Sequence, residues 1–207
     1  MIYCIIRHIT KTFLSFYNRL SIEGNENIDN KKQYIFAANH FSFLDLFIMI
    51  AVVKNVPIVG FKSDYFNKPV LRLLLSLVNG IPLKSDALCK DSIKLIIREI
   101  TEGKSLIMSP AGKISKNGKL QEFKDGVSFI AFKTKTPVVP VAIINSNKAL
   151  PYGKVIPRPY KIWVKIGNPV ITESFDFNRE RIKRYTETMR NEISLLLNQE
   201  HNNEKIC

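Results

Sequence analysis

The sequence predicts an α/β fold, a single domain in which helices cover a mixed, mostly parallel sheet. Three observations point there. Apolar runs of strand length alternate along the chain with patterns of helical period. Two of the runs, Leu106-Ile107-Met108 and Val138 to Ile144, are apolar without alternation, as strands buried on both faces are. The composition, 45 % hydrophobic and 24 % charged over 207 residues, is that of a globular chain able to bury a sizeable core.

Taken in order, the chain opens with an N-terminal amphipathic helix over residues 1–20. Ile2, Ile5, Ile6, Ile9, Phe13, Phe16, Tyr17 and Leu20 recur at three- and four-residue steps, while Arg7, His8, Lys11 and Arg19 fall mostly elsewhere. Such a helix either lies in a membrane interface or covers the domain core. Charges interrupt it too often for a span, which needs about 20 mainly apolar residues. Nor is it a secretory signal, because Arg7 and Lys11 break the apolar region and no small-residue cleavage site follows.

Strands are expected near residues 34–38, 57–60, 79–83, 105–109, 138–144 and 162–166, and helices near 42–54, 69–78, 91–102 and 124–134. The helix around Val70 to Val78 is apolar nearly all round, which suits either ordinary core or the wall of an acyl-chain tunnel. Toward the end, Ile182, Tyr185, Met189, Ile193, Leu196 and Leu197 keep helical spacing, so a second amphipathic helix packs on the domain before a frayed tail from His201 to Cys207. The expected organisation is therefore residues 1–20, a domain over 21–176, and a C-terminal helix and tail over 177–207.

Between the first expected strand and the helix after it lies Asn39-His40-Phe41-Ser42-Phe43-Leu44-Asp45. On a continuous helix, residues five apart point about 140° away from each other. Asp45 can therefore reach His40 only if the chain turns between them. Ser42 supplies the turn as a helix N-cap, with Asp45 in the place of a capping-box carboxylate. Asp45 then either caps the helix, or accepts a hydrogen bond from one ring nitrogen of His40 and leaves the other free as a general base, or does both.

This stretch resembles the His-x4-Asp signature of the glycerolipid acyltransferases, the family of 1-acylglycerol-3-phosphate and lysophospholipid acyltransferases. Further blocks follow in that family's order. Phe61-Lys62-Ser63-Asp64-Tyr65-Phe66 resembles the linking segment, and Asn79-Gly80-Ile81-Pro82-Leu83-Lys84-Ser85 the second block. Ser109-Pro110-Ala111-Gly112-Lys113-Ile114-Ser115 resembles the third block in its Pro-Glu-Gly-Arg-Ile-Thr form, and Thr136 to Ile143 the fourth. Pro157-Arg158-Pro159 and the run from Lys161 to Pro169 resemble the strand that closes the domain. The likeness extends from Leu20 to about Ile171.

The resemblance implies an enzyme, an O-acyltransferase of phospholipid synthesis or remodelling. His40 would be the general base and Asp45 its orienting group. Substrate would be bound by Asn39, Ser42, Lys62, Lys84, Gly112 and Lys113, with no metal and no resident cofactor. The donor would be acyl-CoA or an acyl carrier protein thioester, and the acceptor a lysophospholipid. Backbone N–H groups near Gly112 or at the helix start after Ser42 are the candidate oxyanion donors. Two departures bear on the acceptor: Ala111 stands where the family has glutamate, and Ser85 where the second block has arginine. Lys84 and Lys113 are the available cations, unless they are only solvated, and lysine binds phosphate as a point charge without arginine's fork. An acyltransferase for an acceptor without phosphate, or a catalytically weak lipid- or carrier-binding relative, are the alternatives.

The net charge of +13, from 31 basic and 18 acidic residues, attracts polyanions. No helix-turn-helix, zinc-finger or aromatic-interleaved RNA-binding motif occurs, so nucleic acid is not an expected partner. The phosphates of the donor and an anionic phospholipid surface are, with the protein peripheral or monotopic on the cytoplasmic face of a membrane. Cys4, Cys89 and Cys207 are too widely spaced for a zinc site or a disulfide framework and leave a reducing compartment as the default.

Overall fold

Seven strands join into one sheet in the computed structural model, which describes residues 2–83, 90–172 and 178–199. The elements are α1 (Ile2–Tyr17), β1 (Ser21–Glu23), β2 (Ile35–Ala38), α2 (Leu44–Val52), β3 (Pro57–Lys62), α3 (Pro69–Leu77), β4 (Gly80–Leu83), α4 (Lys90–Thr101), β5 (Ser105–Met108), α5 (Gly126–Thr134), β6 (Val138–Ile144), α6 (Ser146–Ala149), β7 (Trp163–Ile166) and α7 (Arg179–Asn198). Lys84, Ser85 and the expected C-terminal tail lie outside the described residues.

The spatial order is β1-β7-β6-β2-β5-β3-β4. From β6 to β4 the strands are parallel; β7 pairs antiparallel with β6, and β1 parallel with β7. The mixed, mostly parallel sheet expected from the sequence is present. All six expected strands are there, and β1 is added at the edge. Its three residues are too few to show an alternation, and its pairing depends on β7, more than a hundred residues away.

Side chains alternate across the sheet as strand geometry requires. Phe36, Ala38, Val139, Val141 and Ile143 face α2 and Leu14 of α1, whereas Ile35, Ala37, Ile58, Leu106 and Val138 face α4, α5 and α7. Helix α2 is apolar on every side because both its sides are covered: the sheet lies on one, and Tyr3 of α1 packs against Ile50 on the other. The Tyr3 hydroxyl donates to the Val53 carbonyl at 2.8 Å, and burial pushes this phenol above its ordinary pKa. In α3, Leu75 and Val78 are buried while Leu73 is exposed.

Helix α1 has an inner and an outer apolar face. Tyr3 and Leu14 point inward, while Ile2, Ile5, Ile9, Phe13 and Phe16 are exposed. The inner face covers the core, as one reading of the sequence expected, and the outer face leaves an apolar stripe exposed. Among the described residues no helix is long and apolar enough to cross a membrane.

The connections place the site. The chain leaves β2 through α2 on one face of the sheet and leaves its neighbour β5 through α5 on the other. Adjacent strands whose connections part in this way leave a crevice at their carboxyl ends, the usual ligand position in open α/β sheets. His40 follows β2 and the Ser109 to Lys113 turn follows β5, so both meet there.

Candidate active site

His40 sits two residues past the end of β2, its side chain 28 % exposed. Its Nδ1 lies 3.0 Å from Asp45 Oδ2. The same oxygen accepts the backbone N–H groups of Phe41 at 2.7 Å and Ser42 at 2.8 Å. Asp45 can do this because α2 begins only at Leu44, which turns the carboxylate back over residues 41 and 42 instead of along a helix face. The bond to the Ser42 N–H is the capping-box contact, so Asp45 caps the helix and holds the imidazole with one oxygen. With the Nδ1–H donated to Asp45, Nε2 is left as an acceptor on a partly exposed ring.

Ser42 and Asn39, expected to bind substrate, bond inward. The Ser42 hydroxyl donates to the Leu150 carbonyl at 2.7 Å and accepts from the Leu44 N–H at 3.1 Å, so Ser42 makes the capping bonds although regular helix begins only at Leu44. The Asn39 amide donates to the Ile143 carbonyl at 2.8 Å and accepts the Ile143 N–H at 2.7 Å. It continues the pairing of β2 with β6 past the end of the strand, and it is fully buried. A sequence names an amide beside a histidine but not the direction in which the amide turns.

Several backbone N–H groups in and beside the expected oxyanion positions are engaged. Phe41 and Ser42 N–H are held by Asp45, Asp45 N–H by the Ser42 carbonyl, and Gly112 N–H by the Ser109 carbonyl at 3.1 Å. The last bond closes a turn in which Gly112 has φ +69°, a conformation that a side chain would strain. Ala111 is buried in this turn, while Gly112 and Lys113 are exposed. Two bonds fold the following loop against the site: Ser115 N–H donates to the His40 carbonyl at 2.8 Å, and Lys124 N–H to the Pro110 carbonyl at 3.0 Å.

Lys124 is the residue that reading the sequence missed. Its Nζ lies 3.8 Å from where a side chain on Gly112 would begin, so it reaches over the same turn as Lys113. Eleven residues separate the two lysines, and only the Lys124–Pro110 bond reveals that they share a loop. Lys62 ends β3, and Lys84 lies outside the described residues. On the other rim, Phe43 stacks on Tyr152 at 6.4 Å, and Lys116 Nζ lies 5.2 Å from the Tyr152 ring centre. Phe43 and Phe47, four residues apart at the start of α2, are half-exposed beside the catalytic turn.

An open depression of about 410 Å³, lined by Lys31, Lys32, Gln33, Tyr34, Gly103 and Pro137, lies at the amino ends of β2, β5 and β6. It is at the wrong end of the sheet for the His40–Asp45 pair, and its titratable groups are two lysines and the Tyr34 phenol. No cluster of metal-ligating side chains occurs among the described residues.

A parallel-sheet α/β domain with a histidine–carboxylate pair at its switch point defines a class of proton-abstracting transferases and hydrolases. Residues 19–144 match the Acyltransferase family model, and the chain belongs to that family. It is 30 % identical over 185 residues to a 1-acyl-sn-glycerol-3-phosphate acyltransferase of Cocos nucifera, covering 87 % of this chain and 59 % of that protein. It is 31 % identical to the chloroplastic 1-acyl-sn-glycerol-3-phosphate acyltransferase LPAT1 of Arabidopsis thaliana, over 67 % of this chain and 39 % of that protein. The chain thus spans less than two thirds of either relative's length. The crystal structure of PlsC, the 1-acyl-sn-glycerophosphate acyltransferase of Thermotoga maritima, superposes with a TM-score of 0.79 at 26 % identity, over 94 % of this chain and 79 % of that one.

Proposed function

We propose that this protein moves a fatty acyl group from acyl-CoA or an acyl carrier protein thioester to the hydroxyl of a lysophospholipid of the 1-acylglycerol-3-phosphate type. The observation that carries the reading is the His40–Asp45 pair, with Nδ1 held at 3.0 Å and the ring partly exposed. Nε2 takes the proton of the acceptor hydroxyl as its oxygen attacks the thioester carbonyl carbon. Asp45 stabilises the imidazolium that forms. When the tetrahedral intermediate collapses, the C–S bond breaks, the new ester remains, and the imidazolium returns its proton to the departing sulfur.

Asn39 and Ser42 act as positioning residues. They lock the catalytic turn to Ile143 and Leu150 and so fix where Nε2 points. Lys113 and Lys124 hold the acceptor phosphate as two point charges beside the Gly112 turn, in place of the family's arginine and without its glutamate. The half-exposed aromatic rings of Phe43 and Phe47 offer apolar surface for acyl chain at the same mouth.

The protein works as a peripheral protein on the cytoplasmic face of a membrane, through the outer face of α1 and the basic surface around it. Deleting α1 cannot test this, because Tyr3 and Leu14 also cover the core. The outer-face variant Ile5→Ser/Ile9→Ser separates the two roles, and it should lose vesicle affinity while melting normally.

The function itself is tested by incubating the purified protein with acyl-CoA or acyl carrier protein thioesters and a panel of lysophospholipids, then following thiol release and product mass. Ester formation with a phosphate-bearing lysolipid is expected. Turnover only with acceptors lacking phosphate would reassign the Ala111 departure to a change of acceptor. No turnover with any pair would leave a binding protein.

A further inference from the structure

The three most exposed large hydrophobic side chains among the described residues are Phe16 at 90 %, Val155 at 87 % and Ile156 at 76 %. They lie some 140 residues apart in sequence and share one corner of the molecule. The Tyr17 hydroxyl, next to Phe16, donates to the carbonyl of Pro157, next to Ile156, at 3.0 Å. Asn18 then donates to the carbonyls of Arg158 at 2.8 Å and Tyr160 at 3.1 Å. Water penalises such a cluster, and no described residue covers it.

The charge around this corner has one sign. No acidic residue precedes Glu23, and none occurs between Asp125 and Glu173, a stretch that holds seven lysines and arginines. Lys154, Arg158 and Lys161 flank the exposed pair. Aliphatic tips ringed by cations and without carboxylates match a surface with a negative headgroup layer over an apolar interior. The loop also reaches the site. Leu150 at its root accepts the Ser42 hydroxyl, and Tyr152 stacks on Phe43.

We infer that the loop of residues 151–161 is a second membrane-contact element, in which Val155 and Ile156 enter an anionic bilayer interface beside Phe16. The loop widens the α1 contact at its Phe16 end, and a contact that extends off the helix axis sets the tilt of the domain as well as its depth. The loop's bonds to the catalytic turn then hold the His40 crevice at the level where a lysolipid hydroxyl emerges. The inference rests on the peripheral-membrane reading above.

Binding without substrate tests it, using vesicles of equal parts phosphatidylcholine and phosphatidylglycerol. Val155→Ser/Ile156→Ser should bind about tenfold or more weakly, since two aliphatic side chains no longer leave water. Its melting temperature and its thiol release with a water-soluble short-chain acceptor should be unchanged. In an Ile156→Trp protein, fluorescence should be quenched by brominated acyl chains well beyond the background of Trp163, the single native tryptophan. Unchanged vesicle affinity in the double variant, or no added quenching in Ile156→Trp, overturns the proposal. So does a dimer that the double variant converts to monomer with vesicle affinity intact, because the corner would then dock a second copy of the chain. If Ile5→Ser/Ile9→Ser weakens binding and the loop variant does not, only the loop role fails; if the native protein does not bind vesicles, the peripheral reading fails with it.

Discussion

The turns at the carboxyl ends of β2 and β5 face each other across the crevice and are built in opposite ways. The first, from Asn39 to Asp45, is buried except for the His40 and Phe43 side chains, and apart from Asp45 Oδ1 its buried side-chain polar atoms are tied to β6, to Leu150 and to one another. The second, from Ser109 to Lys113, is closed by one bond across a left-handed glycine and carries its cations on exposed, many-rotamer side chains. The first turn has a single arrangement and the family's residues. The second departs from the family at Ala111 and Lys113. Proton transfer depends on placing a nitrogen within hydrogen-bond reach, whereas a phosphate can be held by point charges at several positions. On the proposed function, a chain that keeps the first turn and alters the second keeps its chemistry and changes its grip on the acceptor.

That contrast fixes which kinetic constant each substitution should move. The largest effect is expected for His40→Ala. It should lower kcat by about 10² to 10⁴ with the fold unchanged, as read by thiol release and circular dichroism. Asp45→Asn comes next. It keeps an oxygen for the backbone donors but removes the charge from three hydrogen bonds, so kcat should fall about tenfold to a hundredfold and the melting temperature should also drop.

Lys113→Gln and Lys124→Gln, by contrast, should each raise the KM for a phosphate-bearing acceptor about tenfold or more, leaving kcat and the donor KM nearly unchanged. Lys113→Arg should keep or improve acceptor use. A fall in kcat without a rise in acceptor KM would break the division between the turns. The smallest kinetic effect of the set is expected at Asn39. Asn39→Ala leaves the Ile143 N–H and carbonyl without their partner, at a stability cost of about 1–3 kcal/mol, and should lower kcat severalfold at constant acceptor KM.

The same contrast explains what was legible in the sequence. Strands such as Val138 to Ile144 announce themselves because every residue is buried, and α2 because it is covered on both sides. The His40–Asp45 contact was legible because it is local: five residues and a cap determine it. Contacts between distant segments were not. The Asn39 amide is aimed by Ile143, Ser42 by Leu150, and Lys124 reaches the Gly112 turn through a loop whose path no local pattern records. Which backbone N–H groups are spent inside the turns was hidden for the same reason, since free N–H groups cannot be told from paired ones until the turns have closed. For α1 the periodicity was visible, but it merged two apolar faces that only packing on α2 separates.

The central claim is that Asp45 holds His40 with its proton on Nδ1, leaving Nε2 to accept one. Nitrogen-15 NMR of the imidazole rings reports this directly. With three histidines in the chain, the His40 signals are assigned by their loss in His40→Ala. At a pH where the ring is neutral, the account predicts the Nδ1–H tautomer with an unprotonated Nε2 in the native protein, and loss of that preference in Asp45→Asn. A native protein whose His40 carries its proton on Nε2 would contradict it, because that nitrogen could then not take the acceptor's proton.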